Sequence, residues 1–209
     1  MEFLILGLLT GLSLILAIGA QNIFVIEQGL KKQHVFLVCL ICSISDLILI
    51  FLGIFLFEYF KIYFTKNIEL IFNILLFIFL IYFIYNKVRS LYKSSEINFE
   101  NSTLNLKNII TKTLGFTYLN PHVFSDTILI LGGFSKSFSY LDKLNFGLGG
   151  SIASLIYFFL LGYGSSYFSK KLNNHYAWLY INSFIIFYMS ALLFLITHKF
   201  LSEVLQKSI

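Results

Sequence analysis

Charged residues are scarce in this sequence, at 12% of 209 residues, whereas hydrophobic residues make up 58%. A water-soluble domain of this size needs roughly twice that charged fraction to cover its surface. The sequence also has one proline, two cysteines and no low-complexity tract. These shortages exclude a collagen-like repeat, a disordered chain and a disulfide scaffold. The remaining class is an all-α integral membrane protein that forms one domain over residues 1–209.

Six apolar runs are long enough to cross a bilayer, which takes about 20 residues for ~30 Å of hydrocarbon. The predicted transmembrane helices cover about residues 3–26, 35–57, 70–86, 113–134, 144–168 and 176–197. None of these runs alternates between apolar and polar residues as the strands of a barrel do. The first run exceeds the apolar core of a signal peptide and follows an acidic residue, Glu2. We therefore expect it to be a transmembrane helix.

The longest connector between the runs, residues 87–112, is polar and divides the predicted spans into two sets of three. This layout is compatible with two three-helix inverted repeats. Lys and Arg are more numerous on the side of this connector, nine against six. The positive-inside rule then predicts a cytoplasmic connector and outside termini. Topology also accounts for the net charge of +5, so no nucleic-acid partner is expected.

Small and polar residues form stripes along several of these predicted helices. Lipid tails are as apolar as leucine, so helices in a bilayer associate through such residues. We expect the glycines to serve tight helix packing, and the two cysteines to be packing thiols rather than a redox or metal pair. The stripes comprise Gly7 and Gly11 in the first span, Cys39, Cys42, Ser43, Asp46 and Gly53 in the second, and Gly147, Ser151, Ser154 and Gly162 in the fifth.

Two acidic residues, Asp46 and Asp126, lie near the middle of the second and fourth predicted spans. Placing such a side chain at the bilayer centre costs about 2.5–3.5 kcal/mol on insertion scales. No Lys or Arg occurs at a similar depth to neutralise either one. Both acids could be structural if they were protonated or bonded to helix hydroxyls. A functional pathway is the favoured interpretation, because an unpaired acid is a costly way to pack helices.

The fourth predicted span contains a cluster of polar residues around Pro121, namely Asn120, His122 and Asp126. A proline inside a helix removes one backbone donor and frees the carbonyl four residues earlier, here at Thr117. The helix is therefore expected to kink or break at this point. His122 is a candidate proton carrier, because an imidazole can both accept and donate a proton.

A second helix break is expected in the first predicted span. Gly19 loosens the helix there, and the adjacent carboxamides of Gln21 and Asn22 supply hydrogen-bond donors and acceptors. Irregular backbone at membrane depth is tolerated only against protein or a water-filled cavity. The two breaks together predict a polar cavity lined by interrupted helices.

Several short motifs follow one another along the chain: Ile18–Asn22, Val25–Gly29 and Ile44–Asp46 in the front half, then Tyr118–His122, Asp126 and Gly132 in the rear half. In residue type, order and spacing they resemble the lysine exporter family of bacterial inner-membrane transporters. The lysine and arginine exporter branch is the most similar. One position departs from the family, whose members usually have proline where this chain has Ala20.

The resemblance implies a multi-pass inner-membrane transporter, not an enzyme, that needs no cofactor. It also implies six helices and the export of basic or other amino acids, driven by protons. The expected partners are the amino-acid substrate, protons and the lipid bilayer. Assembly into a homo-oligomer is left open. Carried over residue by residue, the site comprises Gln21, Asn22, Asp46, Asn120, Pro121 and Asp126.

The chemistry of these residues suits a cationic amino acid. Asp46 and Asp126 offer acceptors for its two cations, and the carboxamides offer donors for its carboxylate. We expect one acid to couple to protons and the other to contact the substrate, with Asp46 as the coupling carboxylate. The alternatives are export of a divalent metal cation, export of neutral amino acids or their derivatives, an intramembrane aspartyl protease and a membrane-embedded scaffold. The protease lacks support because neither acid follows a Gly-x-Gly motif.

Overall fold

The computed structural model of the protein describes residues 1–16, 19–63, 65–93, 105–169 and 175–207. Every regular element in these ranges is helical, which confirms the predicted all-α class. The elements are α1 (Glu2–Ile15), α2 (Ala20–Lys31), α3 (Val35–Tyr63), α4 (Lys66–Lys93), α5 (Leu106–Tyr118), α6 (Pro121–Phe124), a π-helix (Ser125–Leu131), α7 (Gly132–Phe134), α8 (Tyr140–Ser169) and α9 (His175–Lys207).

Among the described residues, three helical segments are long and apolar enough to cross a membrane: Val35–Phe57, Leu70–Arg89 and Tyr140–Ser169. The bent pair α1–α2, whose axes differ by 84°, makes a fourth if it is counted as one span. The apolar segments Ser125–Phe134 and Tyr180–Leu195 are shorter. Helix length and hydropathy therefore support three or four of the six predicted crossings.

Helices extend into both ends of the polar connector predicted over residues 87–112. Helix α4 continues to Lys93 and α5 begins at Leu106, while residues 94–104 lie outside the described part of the chain. Asn105 caps α5 because its side chain accepts a hydrogen bond from the Lys107 N–H at 3.3 Å. Hydropathy marks where a helix leaves the hydrocarbon, and not where the helix itself ends.

Helix α8 packs against α1, α2 and α3, and glycine contacts hold these helices close together. A Cβ built on Gly7 would overlap the backbone of Phe146, and one on Gly11 would lie 3.0 Å from the Cα of Gly150. On the other side of α3, a Cβ on Gly53 would lie 2.6 Å from the Cα of Ile128 in the π-helix. These contacts confirm that the predicted glycine stripes serve tight helix packing.

Cys39 is a packing residue at the interface between α3 and α8. It is fully buried, and its Sγ donates a 3.1 Å hydrogen bond to the backbone oxygen of Phe158. Cys39 and Cys42 are both free thiols. In the described ranges, no group of three or more His, Cys, Asp or Glu side chains is arranged to hold a metal ion. The thiol of Cys39 therefore packs helices, as the sequence predicts.

Candidate functional site

The two predicted helix breaks are both present, and they lie next to each other. Gly19 has an extended backbone (φ −119°, ψ −178°) between α1 and α2. Helix α5 ends at Tyr118, and α6 begins at Pro121. A Cβ built on Gly19 would lie 3.7 Å from Nδ2 of Asn120, which is itself buried. The fold thus joins interrupted helices from the front and the rear of the chain.

The first break forms although alanine, and not proline, occupies position 20. Ala20 is the first residue of α2, and no side chain caps the start of this helix. Asn22 links the two helices across the break, because its Nδ2 donates a 3.2 Å hydrogen bond to the backbone oxygen of Ile15 in α1. Gln21 is also buried and lies beside Cys42 of α3, which is also in contact with Thr117 of α5.

Asp46 is buried where α3 meets α8, with 3% of its surface exposed. Its Oδ2 accepts a 2.7 Å hydrogen bond from the hydroxyl of Ser154. Within the described part of the chain, no Lys, Arg or His side chain forms an ion pair with Asp46. Cys42 lies one turn earlier on α3 and connects Asp46 to the first break through its contact with Gln21. We call this cluster the polar centre; it comprises Gln21, Cys42, Asp46, Thr117 and Ser154.

Asp126 lies on the π-helix, a rare element that often occurs at functional sites. It is half-buried, and the hydroxyl of Ser125 donates to its Oδ1 at 3.2 Å. The following residues of the π-helix contact α3 at Gly53, seven residues beyond Asp46. That spacing places this contact about two helical turns along α3 from Asp46. The side chain of His122 lies outside the described residues.

A buried ion cluster at the other end of α2 was not predicted as part of the site. Oε1 of Glu27 accepts hydrogen bonds from Nζ of Lys87 and, at 2.5 Å, from Nζ of Lys31. Glu27 and Lys87 are 3% and 7% exposed. Lys112 lies near the same carboxylate, and burial lowers the pKa of its ammonium against the opposing effect of Glu27. We call these four residues the ion cluster.

The sequence contained one indirect sign of this cluster. Glu27 belongs to a motif that carries the family resemblance, Val25–Gly29, but it lies just beyond the first predicted span, which ends at about residue 26. Lys87 follows the third apolar run and was assigned to the connector. Lys87 is 60 residues from Glu27 in the chain, so nothing in the local pattern indicates that the two side chains meet.

Comparison with known proteins connects this architecture to a transporter family. The family model described as LysE type translocator matches residues 12–203. YggA of Aeromonas salmonicida, named as an amino-acid transporter, is 33% identical over 170 residues, which cover 79% of this chain and 81% of that protein.

Two further relatives are named for basic amino acids. The lysine exporter LysE of Corynebacterium diphtheriae is 31% identical, with 87% of this chain and 92% of that protein covered. The arginine exporter protein ArgO of Pectobacterium carotovorum is 30% identical, with 86% and 88% covered. No solved structure shows significant similarity to this chain. From the match over nearly its whole length, this chain belongs to the LysE type translocator family, whose members are transporters and not enzymes.

Proposed function

We propose that this protein exports basic amino acids, lysine or arginine, from the bacterial cytoplasm across the inner membrane in exchange for protons. Its membership of the translocator family supports the transport of a solute, and the names of its relatives support a basic amino acid. The observation on which the mechanism rests is the burial of Asp46 in the polar centre with a hydroxyl donor and no cationic partner among the described residues.

The polar centre has groups that suit both ends of an amino acid. The carboxylate of Asp46 is an acceptor for an ammonium or guanidinium group. The uncapped start of α2 presents backbone N–H groups that favour an anion such as the substrate carboxylate. Nε2 of Gln21 is buried there without a hydrogen bond to the described residues, and so offers a further donor. Asn22, Asn120 and Pro121 shape the two breaks beside this point.

Proton exchange follows from the electrical cost of exporting a cation. Moving one net positive charge outward against an inside-negative potential costs about 2.3 kcal/mol per 100 mV, which is roughly a fifty-fold bias toward retention. One proton entering for each substrate that leaves cancels this charge movement. In the proposed mechanism, Asp46 carries the proton and Asp126 contacts the substrate, with His122 as a further candidate for proton transfer.

The proposed topology is one transmembrane domain of six crossings, with the Lys-rich connector in the cytoplasm. The broken pairs α1–α2 and α5–α6 lie in the front and rear halves of the chain. This correspondence supports two three-helix inverted repeats, in which discontinuous helices line the binding site. The ion cluster is then near the cytoplasmic end of α2.

A neutral amino acid is the main alternative substrate, because the polar centre also suits the α-ammonium and α-carboxylate groups that all amino acids share. Export of a divalent metal ion has less support. Within the described ranges, the side chains that could ligate a metal are not grouped in sets of three or more.

Efflux from cells loaded with isotope-labelled amino acids tests the proposal. We expect the protein to accelerate loss of lysine or arginine but not of alanine, and Asp46→Asn to abolish this effect. Asp142→Asn is the matched control, since Asp142 is an acid held by Ser139 at the start of α8. Equal acceleration of all three amino acids would favour the neutral alternative. Full export by Asp46→Asn would refute the role of Asp46.

A further inference from the structure

Helices α2 and α5 each carry a charged, an aromatic and an uncharged polar side chain in the same order. Along α2, Glu27, Phe24 and Gln21 follow one another at intervals of three residues, or about 4.5 Å of helix rise each. Along α5 the matching residues are Lys112, Phe116 and Thr117. Each helix thus passes from the ion cluster through an aromatic side chain to the polar centre.

A buried aromatic layer lies between the ion cluster and the polar centre. It is made of Phe24, Phe83 and Phe116. The ring of Phe116 lies 5.0 Å from the ring of Phe24 and 5.0 Å from that of Phe83, measured between centroids. All three side chains are at most 4% exposed. The layer therefore packs the side chains of α2, α4 and α5 against one another.

The ion cluster covers this aromatic layer on the side away from the polar centre. Nζ of Lys87 lies 5.9 Å and Nζ of Lys112 lies 5.8 Å from the centroid of the Phe83 ring. Lys87 belongs to α4, so its bond to Glu27 joins α4 to α2. Lys31 contacts the same carboxylate from within α2, four residues away, and therefore joins no two helices.

We infer that the Glu27–Lys87 pair and the aromatic layer form a gate that closes the cytoplasmic approach to the polar centre. Because a gate requires a pathway, this inference rests on the proposed transport function. The described conformation is the one in which the gate is shut. Opening it requires α2 to separate from α4, which breaks the bond to Lys87 but leaves the bond to Lys31 intact. Glu27 thereby keeps one cationic partner in both conformations, which avoids leaving a buried charge unpaired.

Cys42 provides a natural probe for this gate, because it is fully buried in the polar centre behind the aromatic layer. In a Cys39→Ala background it is the one remaining thiol of the chain. Inside-out vesicles expose the cytoplasmic face to a membrane-impermeant maleimide. The rate at which this reagent labels Cys42 then reports access from that face, without any substrate. The double variant with Cys39→Ala and Cys42→Ser has no thiol and therefore gives the background labelling signal.

We expect Lys87→Gln to accelerate labelling of Cys42 at least ten-fold, and Lys31→Gln to leave the rate within about two-fold. If Lys87→Gln fails to accumulate in the membrane, Lys87→Met removes the same bond while keeping the length of the side chain.

A labelling rate that Lys87 variants leave unchanged would overturn the gate. Equal acceleration by Lys31→Gln, or acceleration only in right-side-out vesicles, would overturn it as well. Amino-acid efflux is measured separately from the labelling of Cys42. A failure of the proposed transport function can therefore be distinguished from a failure of the proposed gate.

Discussion

The hydroxyl of Ser154 donates a 2.7 Å hydrogen bond to Oδ2 of Asp46 across the interface between α8 and α3. Both residues are buried, with 0% and 3% of their surface exposed. The bond supplies the one hydroxyl donor described for this carboxylate. It also fixes the carboxylate against α8, the helix that packs on α1, α2 and α3. Ser154 is thus expected to position Asp46 for its proposed role in transport.

Replacing Ser154 with alanine is predicted to slow export by about ten-fold or more. A hydrogen bond to a charged group contributes roughly 1.5–3 kcal/mol, and about 1.4 kcal/mol corresponds to a factor of ten in rate. The measurement is the initial rate of amino-acid efflux at equal amounts of protein in the membrane.

Ser151→Ala is the control for this prediction. Ser151 is buried on the same helix, but its hydroxyl donates to the backbone oxygen of Gly147 at 2.8 Å within α8. We expect its efflux rate to stay within about two-fold of the unmodified protein. Equal losses for the two serine variants would show that packing of α8, and not the bond to Asp46, determines the rate.

Replacing Ala20 with proline is predicted to stabilise the protein. Ala20 is the first residue of α2, where proline is favoured because the N–H has no acceptor within the helix. The preceding residue, Gly19, has the extended backbone that proline requires of its neighbour. The expected gain is about 0.4–1 kcal/mol in the free energy of unfolding, measured in detergent.

Ala191→Pro serves as the matched control, because Ala191 is exposed in the interior of α9. Proline inside a helix costs about 3 kcal/mol, so this variant should be strongly destabilised. A loss of similar size for Ala20→Pro would mean that α2 does not begin at Ala20.

The sequence allowed the two breaks to be predicted because proline and glycine act locally. Pro121 disrupts a helix interior because it lacks a backbone N–H, and Gly19 weakens a helix because glycine has a low helix propensity. The structure places α6 and α2 directly after these points. The first break is present with alanine at position 20, directly after the extended backbone of Gly19.

Contacts between distant residues could not be predicted in this way. Ser154 and Asp46 are 108 residues apart, and Lys87 and Glu27 are 60 apart. Their pairing depends on which helix faces meet, which is decided by packing across the whole bundle. Hydropathy also failed to predict the burial of Lys87, because a lysine that follows an apolar run is expected to lie in water. Here Glu27 pairs with it in a buried position.

In the proposed mechanism, export of a basic amino acid is coupled to protons through Asp46. Purified protein in proteoliposomes loaded with lysine and a pH-sensitive dye tests it most directly, because both fluxes are measured in one experiment. We predict that dilution into lysine-free buffer makes the lumen more acidic as lysine leaves, and that Asp46→Asn abolishes both changes. Lysine efflux by Asp46→Asn at the unmodified rate, or efflux without any change of lumenal pH, would mean that Asp46 does not couple lysine export to protons.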